Sequence, residues 1–110
     1  MKVQEYLTPD GSSPYQKWFA QLDAAAAAKV TVAVLRMEQG NTSNIKWFEG
    51  IGEYKINWGP GYRIYLAMDG QKLIILFGGG TKKTQQGDIC EAKRLFSEYK
   101  SRKEGSGGKP

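Results

Sequence analysis

Histidine is missing from all 110 residues. A Ser-His-Asp triad is therefore excluded, and so is the usual general base near neutral pH. There is one cysteine, Cys90, so no intramolecular disulfide can form, and one sulfur without imidazole leaves few ligands for zinc. Cys90 reads as a small packing residue of the last helix. No apolar run approaches the roughly 18 residues of a membrane span. The opening "MKVQEYLTPD" lacks the apolar stretch of a secretory signal, so a cytoplasmic protein is expected. The "NTS" at 41–43 then has no meaning as a glycosylation acceptor.

What is present is a basic chain, with a formal charge of +5. The surplus is not spread evenly. Residues 1–43 balance Lys2, Lys17, Lys29 and Arg36 against Glu5, Asp10, Asp23 and Glu38. Residues 44–110 hold the entire excess, which points to an anionic partner for the second half.

Residues 2–7 alternate and predict a first strand. Ser13, Pro14 and Gln16 form a helix-start signature, and Tyr15, Trp18, Phe19 and Leu22 share a face of the helix that follows. Asp23 caps a second helix with Val30, Val34 and Met37 as its buried stripe, ending at Gly40. The period then changes to two. Residues 53–58, 62–68 and 72–77 read as strands, linked by Gly59-Pro60-Gly61 and Asp69-Gly70. "GGGTKKTQQGD" reads as a loop whose bare amides suit an anion, although it is not a P-loop. A last helix from about residue 85 to 99 buries Ile89, Ala92, Phe96 and Tyr99. The expectation is one α+β domain over residues 1–102, ordered β-α-α-β-β-β-α, with an antiparallel-rich sheet and a disordered polar tail at 103–110.

Strand alternation sorts the side chains. Tyr54, Ile56 and Trp58, then Tyr62, Ile64, Leu66 and Met68, then Leu73, Ile75 and Phe77 are expected to face the helices. The opposite face receives Glu53, Lys55 and Asn57, then Arg63, Tyr65 and Ala67, then Lys72, Ile74 and Leu76. Lys55, Arg63 and Tyr65 thus share one face beside the Gly-Pro-Gly turn, with Lys82 and Lys83 returning towards it. Such a face suits a phosphate, because arginine bonds phosphate in a bidentate manner. Trp47 and Phe48 offer rings for stacking a base, or for packing.

The ordered set "EYKINWGPGYRIYLAMDGQKLIILFGGGTKKTQQGDICEAKRL" resembles the RelE/ParE superfamily of bacterial toxin–antitoxin toxins. It is most similar to the branch of phage-derived or addiction-module killer proteins, close to HigB-type toxins. The resemblance runs from "PYQKWFAQLD" to "AKRLFSEY". It implies a RelE-like fold and a cytoplasmic toxin held inactive by a helix-turn-helix antitoxin from an adjacent gene. Operator DNA would be met only through that complex. RelE and HigB relatives are endoribonucleases that cut mRNA in the ribosomal A site, with no metal or cofactor, whereas ParE relatives inhibit DNA gyrase.

Carried over by position, the resemblance implies that Arg63 contacts the scissile phosphate. Lys55 matches the lysine of the preceding strand, and Lys82 or Lys83 matches the basic loop residue, with Lys83 slightly preferred. Tyr65 or Asp88 is left to move a proton, and Lys46, Asn57 and Lys72 are further RNA contacts. The chain also departs from the pattern. A second strand lysine falls on Asn57, the tyrosine near the last helix falls on Ile89, and the HigB histidine has no counterpart. A base role for Lys55 requires burial and cationic neighbours to lower its pKa.

Overall fold

Ser13 opens the first helix, α1 (Pro14–Phe19), by accepting the Gln16 amide at 3.0 Å, with Pro14 in the first turn. Asp23 does the same for α2 (Ala24–Glu38), accepting the Ala26 amide at 2.8 Å. The C-terminus of α2 closes with paired bonds, Gly40 N–H to Met37 C=O and Asn41 N–H to Arg36 C=O. Around these helices run strands β1 (Lys2–Glu5), β2 (Ile45–Phe48), β3 (Ile51–Ile56), β4 (Tyr62–Asp69) and β5 (Leu73–Gly80). A short 3-10 turn (Lys82–Thr84) leads into α3 (Gln85–Gly107). The computed structural model describes residues 1–107.

The five strands form one mixed sheet in the order β1-β5-β4-β3-β2. β1 pairs parallel to β5, and the remaining pairs are antiparallel. The expected α+β class holds, with one strand more than the sequence pattern announced. β2 and β3 are joined by Glu49 and Gly50, both with positive φ (52° and 93°), the geometry of a two-residue type I′ turn. Glu at the first position is an unusual choice for that turn, so the hairpin has a weak sequence signal. It also starts β3 at Ile51 and ends it at Ile56, which leaves Trp58 outside the strand and 36% exposed.

Both faces of the sheet are covered. On one, α1 and α2 enclose Tyr15, Val30, Ala33, Met37, Tyr54, Ile64, Leu66, Ile74 and Leu76. On the other, α3 covers Ile51, Tyr65, Ala67, Ile75 and Phe77 with Ala92 and Leu95. The faces of β5 are thus the reverse of those expected from alternation. A bulge between Tyr65 and Leu66 skips Phe77 and sets Ile74 opposite Met68. Both alternating sets of β5 are apolar, so its sequence alone does not choose between them.

Two further expectations change. Gly78, Gly79 and Gly80 are not loop but the end of β5, paired with Tyr65, Ile64 and Arg63. α3 also continues past residue 102, where a disordered tail was expected to begin. Arg102 donates to the Leu7 carbonyl at 2.6 Å and Lys103 pairs with Asp69 at 2.6 Å, so the helix is held there. The last of the expected tail, 108–110, lies outside the described residues. Cys90 is exposed on α3 rather than packed. Among the described residues, no helix is long and apolar enough to cross a membrane.

Candidate functional site

The turn after β3 bends twice. Trp58 N–H donates to the Ile56 carbonyl and Gly61 N–H to that of Trp58. Gly61 has φ 79°, which a residue with a Cβ rarely adopts. Its carbonyl accepts from Arg63 Nη1 at 2.8 Å, so the turn grips the side chain that it delivers.

Arg63 is only 5% exposed. Its counter-charge is Glu53, 4% exposed, on the neighbouring strand. Arg63 Nε lies 3.6 Å from Glu53 Oε2, an ion pair too long to be a hydrogen bond. Nε is accordingly the buried side-chain polar atom without a partner among the described residues. Glu53 Oε2 is better served elsewhere. The Tyr65 hydroxyl donates to it at 3.0 Å, and Gln85 Nε2, at the start of α3, at 2.8 Å. Glu53 therefore ties β3, β4 and α3 together beneath the arginine.

Arg63 opens into a cleft of about 380 Å³ lined also by Lys55, Asn57, Trp58, Pro60 and Lys82. Lys55 sits directly across the strand pair from Arg63. Among the described residues no carboxylate lines this cleft, so three cations converge with Glu53 only behind Arg63. The arrangement is a receptor for an anion: one cation held in place and two exposed ones that can adjust.

The structure gathers Arg63, Lys55, Asn57 and Lys82, and it separates the others. Lys82 lines the cleft, whereas Lys83 is exposed outside it. Lys72 lies in the loop between β4 and β5, at the end of the sheet away from the Gly-Pro-Gly turn. Lys46 is exposed on edge strand β2, opposite Glu53, with its ammonium over the Phe48 ring. Tyr65 is 1% exposed, and its hydroxyl is occupied by Glu53. Burial raises its pKa, and the negative charge of Glu53 raises it further. Asp88 accepts from Thr84 Oγ1 at 2.5 Å. It lines a separate hollow of about 140 Å³ between α1 and α3, with Tyr65, Trp18 and Gly79. Lys55 is exposed, so the burial required for its role as a base is absent.

Sequence reasoning missed Glu53 and Gln85. Glu53 was placed on the correct face, but a glutamate on a sheet face reads as solvated until a helix is known to cover it. A larger cavity of about 710 Å³ lies between β1 and the end of α3. Its cations are already spoken for, Arg102 by Tyr6 and the Leu7 carbonyl and Lys103 by Asp69, so it is the weaker candidate for an anion.

The chain matches no known family profile. An uncharacterized protein of Haemophilus influenzae is 40% identical to it over 86 residues, spanning 76% of this chain and 87% of the other. This chain belongs to the family of that Haemophilus protein. The match takes in most of both chains, so the relationship concerns the domain as a whole and not one motif of it.

Proposed function

We propose that this protein is a RelE/ParE-like, HigB-like toxin of a toxin–antitoxin module, acting as a metal-independent endoribonuclease on mRNA at the ribosome. The observation that carries this reading is the buried Arg63, fixed by the Gly61 carbonyl and Glu53, facing a carboxylate-free cleft with Lys55 and Lys82. In the proposed reaction the ribose 2′-oxygen attacks the adjacent phosphorus. The bond from phosphorus to the 5′-oxygen breaks, leaving a 2′,3′-cyclic phosphate and a 5′-hydroxyl end. The 2′-hydroxyl loses one proton and the leaving oxygen gains one. Negative charge on the phosphoryl oxygens grows towards the transition state, and cations already in place stabilise it without reorganising. Solvent water takes the proton from the 2′-hydroxyl and returns one to the leaving oxygen, Lys55 serves as a cation and not as the base, and alignment by the ribosome supplies the rest. The partner would be a helix-turn-helix antitoxin that covers the basic cleft.

A second reading, a ParE-like inhibitor of gyrase, is favoured by one observation: Tyr65 and Asp88 both lie outside the cleft. Primer extension on cellular mRNA after induction, beside a plasmid-supercoiling assay, separates the two. Under the ribonuclease reading, Lys82→Ala lowers cleavage at least tenfold and Lys83→Ala by less than threefold. Equal effects would refute the cleft assignment. Altered supercoiling with intact mRNA would replace the ribonuclease by the gyrase reading.

A further inference from the structure

A second cleft adjoins the first, and nothing in the proposed chemistry uses it. It measures about 360 Å³ and lies between α2 and the end of β3. Lys55, Asn57 and Trp58 line both clefts, so the two meet along that segment. The second adds Lys29 and Arg36 from α2, and Asn44 from the loop before β2. Lys29 and Arg36 come from the half of the chain with no net charge, so the basic surface is assembled by folding and not by sequence clustering. Neither cleft has an Asp or Glu in its lining, and Lys29, Arg36, Lys55 and Lys82 form no ion pair among the described residues.

Trp58 stands where the clefts meet. Its ring stacks on Tyr62 with centroids 6.3 Å apart at 24°, and the Lys29 ammonium sits 5.7 Å from its centroid. Core packing does not explain this position, because the indole is 36% exposed and belongs to neither hydrophobic cluster. An exposed contact between ammonium and ring is weak. A nucleobase can displace Lys29 from the ring, and the released ammonium then turns to the neighbouring phosphate.

We infer that the two clefts form one track for single-stranded RNA, in which Trp58 stacks an unpaired base next to the phosphate held by Arg63, and Lys29 and Arg36 hold the phosphates that follow. The inference rests on the ribonuclease reading and names how its substrate continues beyond the reacting bond. A groove of unpaired cations interrupted by an exposed aromatic is the general solution for single strands, since every base has a face to stack and every nucleotide a phosphate.

The test is fluorescence anisotropy on the full chain with a labelled 2′-O-methyl RNA of about eight nucleotides, a length typical of such grooves. Blocking the 2′-hydroxyl prevents cleavage, so binding is read alone. Trp58→Ala weakens binding about tenfold and Trp58→Phe restores most of it. Lys29→Gln and Arg36→Gln each reduce the slope of log affinity against log salt by about 0.7. Melting curves accompany every variant, and the salt slopes of Lys29→Gln and Arg36→Gln carry the test if Trp58→Ala is poorly folded. If the wild type binds and Arg63 substitution weakens it, while Trp58, Lys29 and Arg36 variants stay within twofold, the track is refuted and the ribonuclease reading stands. If the wild type does not bind single-stranded RNA, the track is refuted, and primer extension after induction decides the ribonuclease reading separately. Duplex DNA offers no free base face, so an equal loss of duplex binding in Trp58→Ala would refute the stacking role.

Discussion

Replacing Glu53 by glutamine tests whether Arg63 is held by a charge or merely surrounded. The two groups are 3.6 Å apart and each about 5% exposed at the side chain. At an effective dielectric constant near 20, Coulomb's law gives about 4–5 kcal/mol of gross attraction at that separation. Removing one member of a buried pair while leaving the other costs about 3–5 kcal/mol. Glutamine keeps an oxygen for Tyr65 and Gln85, and Arg63 Nε makes no hydrogen bond to lose, so the lower figure applies. A loss of about 3 kcal/mol in a domain of this size lowers the melting temperature by roughly 10–25 °C.

The double variant Glu53→Gln/Arg63→Met removes both charges and fills the space with an apolar chain. Such exchanges are often close to neutral in stability. It should therefore melt within a few degrees of the wild type and, under the proposed function, still fail to arrest growth. Thermal denaturation of the four proteins of the cycle, beside an induction assay, reads both quantities. A Glu53→Gln melt within about 3 °C of the wild type, or a double variant as unstable as the two single losses added, would refute the buried charge pair. Under the proposed function, growth arrest by a stable double variant would remove Arg63 from the chemistry.

Gly79→Ala should destabilise the fold by at least the ~1–3 kcal/mol of overpacking, because its Cβ would lie 2.5 Å from the Trp18 ring and 2.6 Å from the Arg63 carbonyl. The carbonyl cannot swing away as a side chain can, so a chemical melt showing no loss would refute the close approach. Alkaline pH should also destabilise the protein. Burial raises the pKa of Tyr15 and Tyr99 to about 12, and hydrogen bonding to Asp69 adds to the effect at Tyr99. Tyr65 is shifted in the same direction. Unfolded tyrosines titrate near pH 10, so the unfolded state loses protons first. This contribution is complete below pH 10 and is lost as pH rises through the folded values. Urea midpoints should fall between pH 10 and 12, and a flat profile would contradict it.

How much of this was legible depends on whether a feature is local. The caps at Ser13 and Asp23 and the end of α2 at Gly40 are encoded within a few residues, and the structure has them where the pattern does. The pairing of Lys55 with Arg63 follows from alternation across one hairpin. Three features needed information from far along the chain. The β2 hairpin turns on Glu49-Gly50, which the usual turn signals do not flag. The faces of β5 are decided by a bulge and by which helix covers which side. Buried Glu53 is met from α3 by Gln85, 32 residues away.

The same distinction bears on the site itself. Arg63 could be picked from its turn, but what fixes it is Glu53 and the α3 helix behind it. A mobile arginine would lose side-chain freedom each time it met a phosphate. One already immobilised by Gly61 and Glu53 has lost that freedom on folding. Glu53 also weakens the field of the arginine, and Lys55 and Lys82, exposed and without ion pairs among the described residues, restore it on the open side. The cleft thus combines one cation whose position is set by the fold with two whose charge is uncompensated. Under the proposed function, an antitoxin that occupies the site must bring negative charge to the lysines. Its affinity should therefore fall with salt more steeply than contact with Arg63 alone would produce.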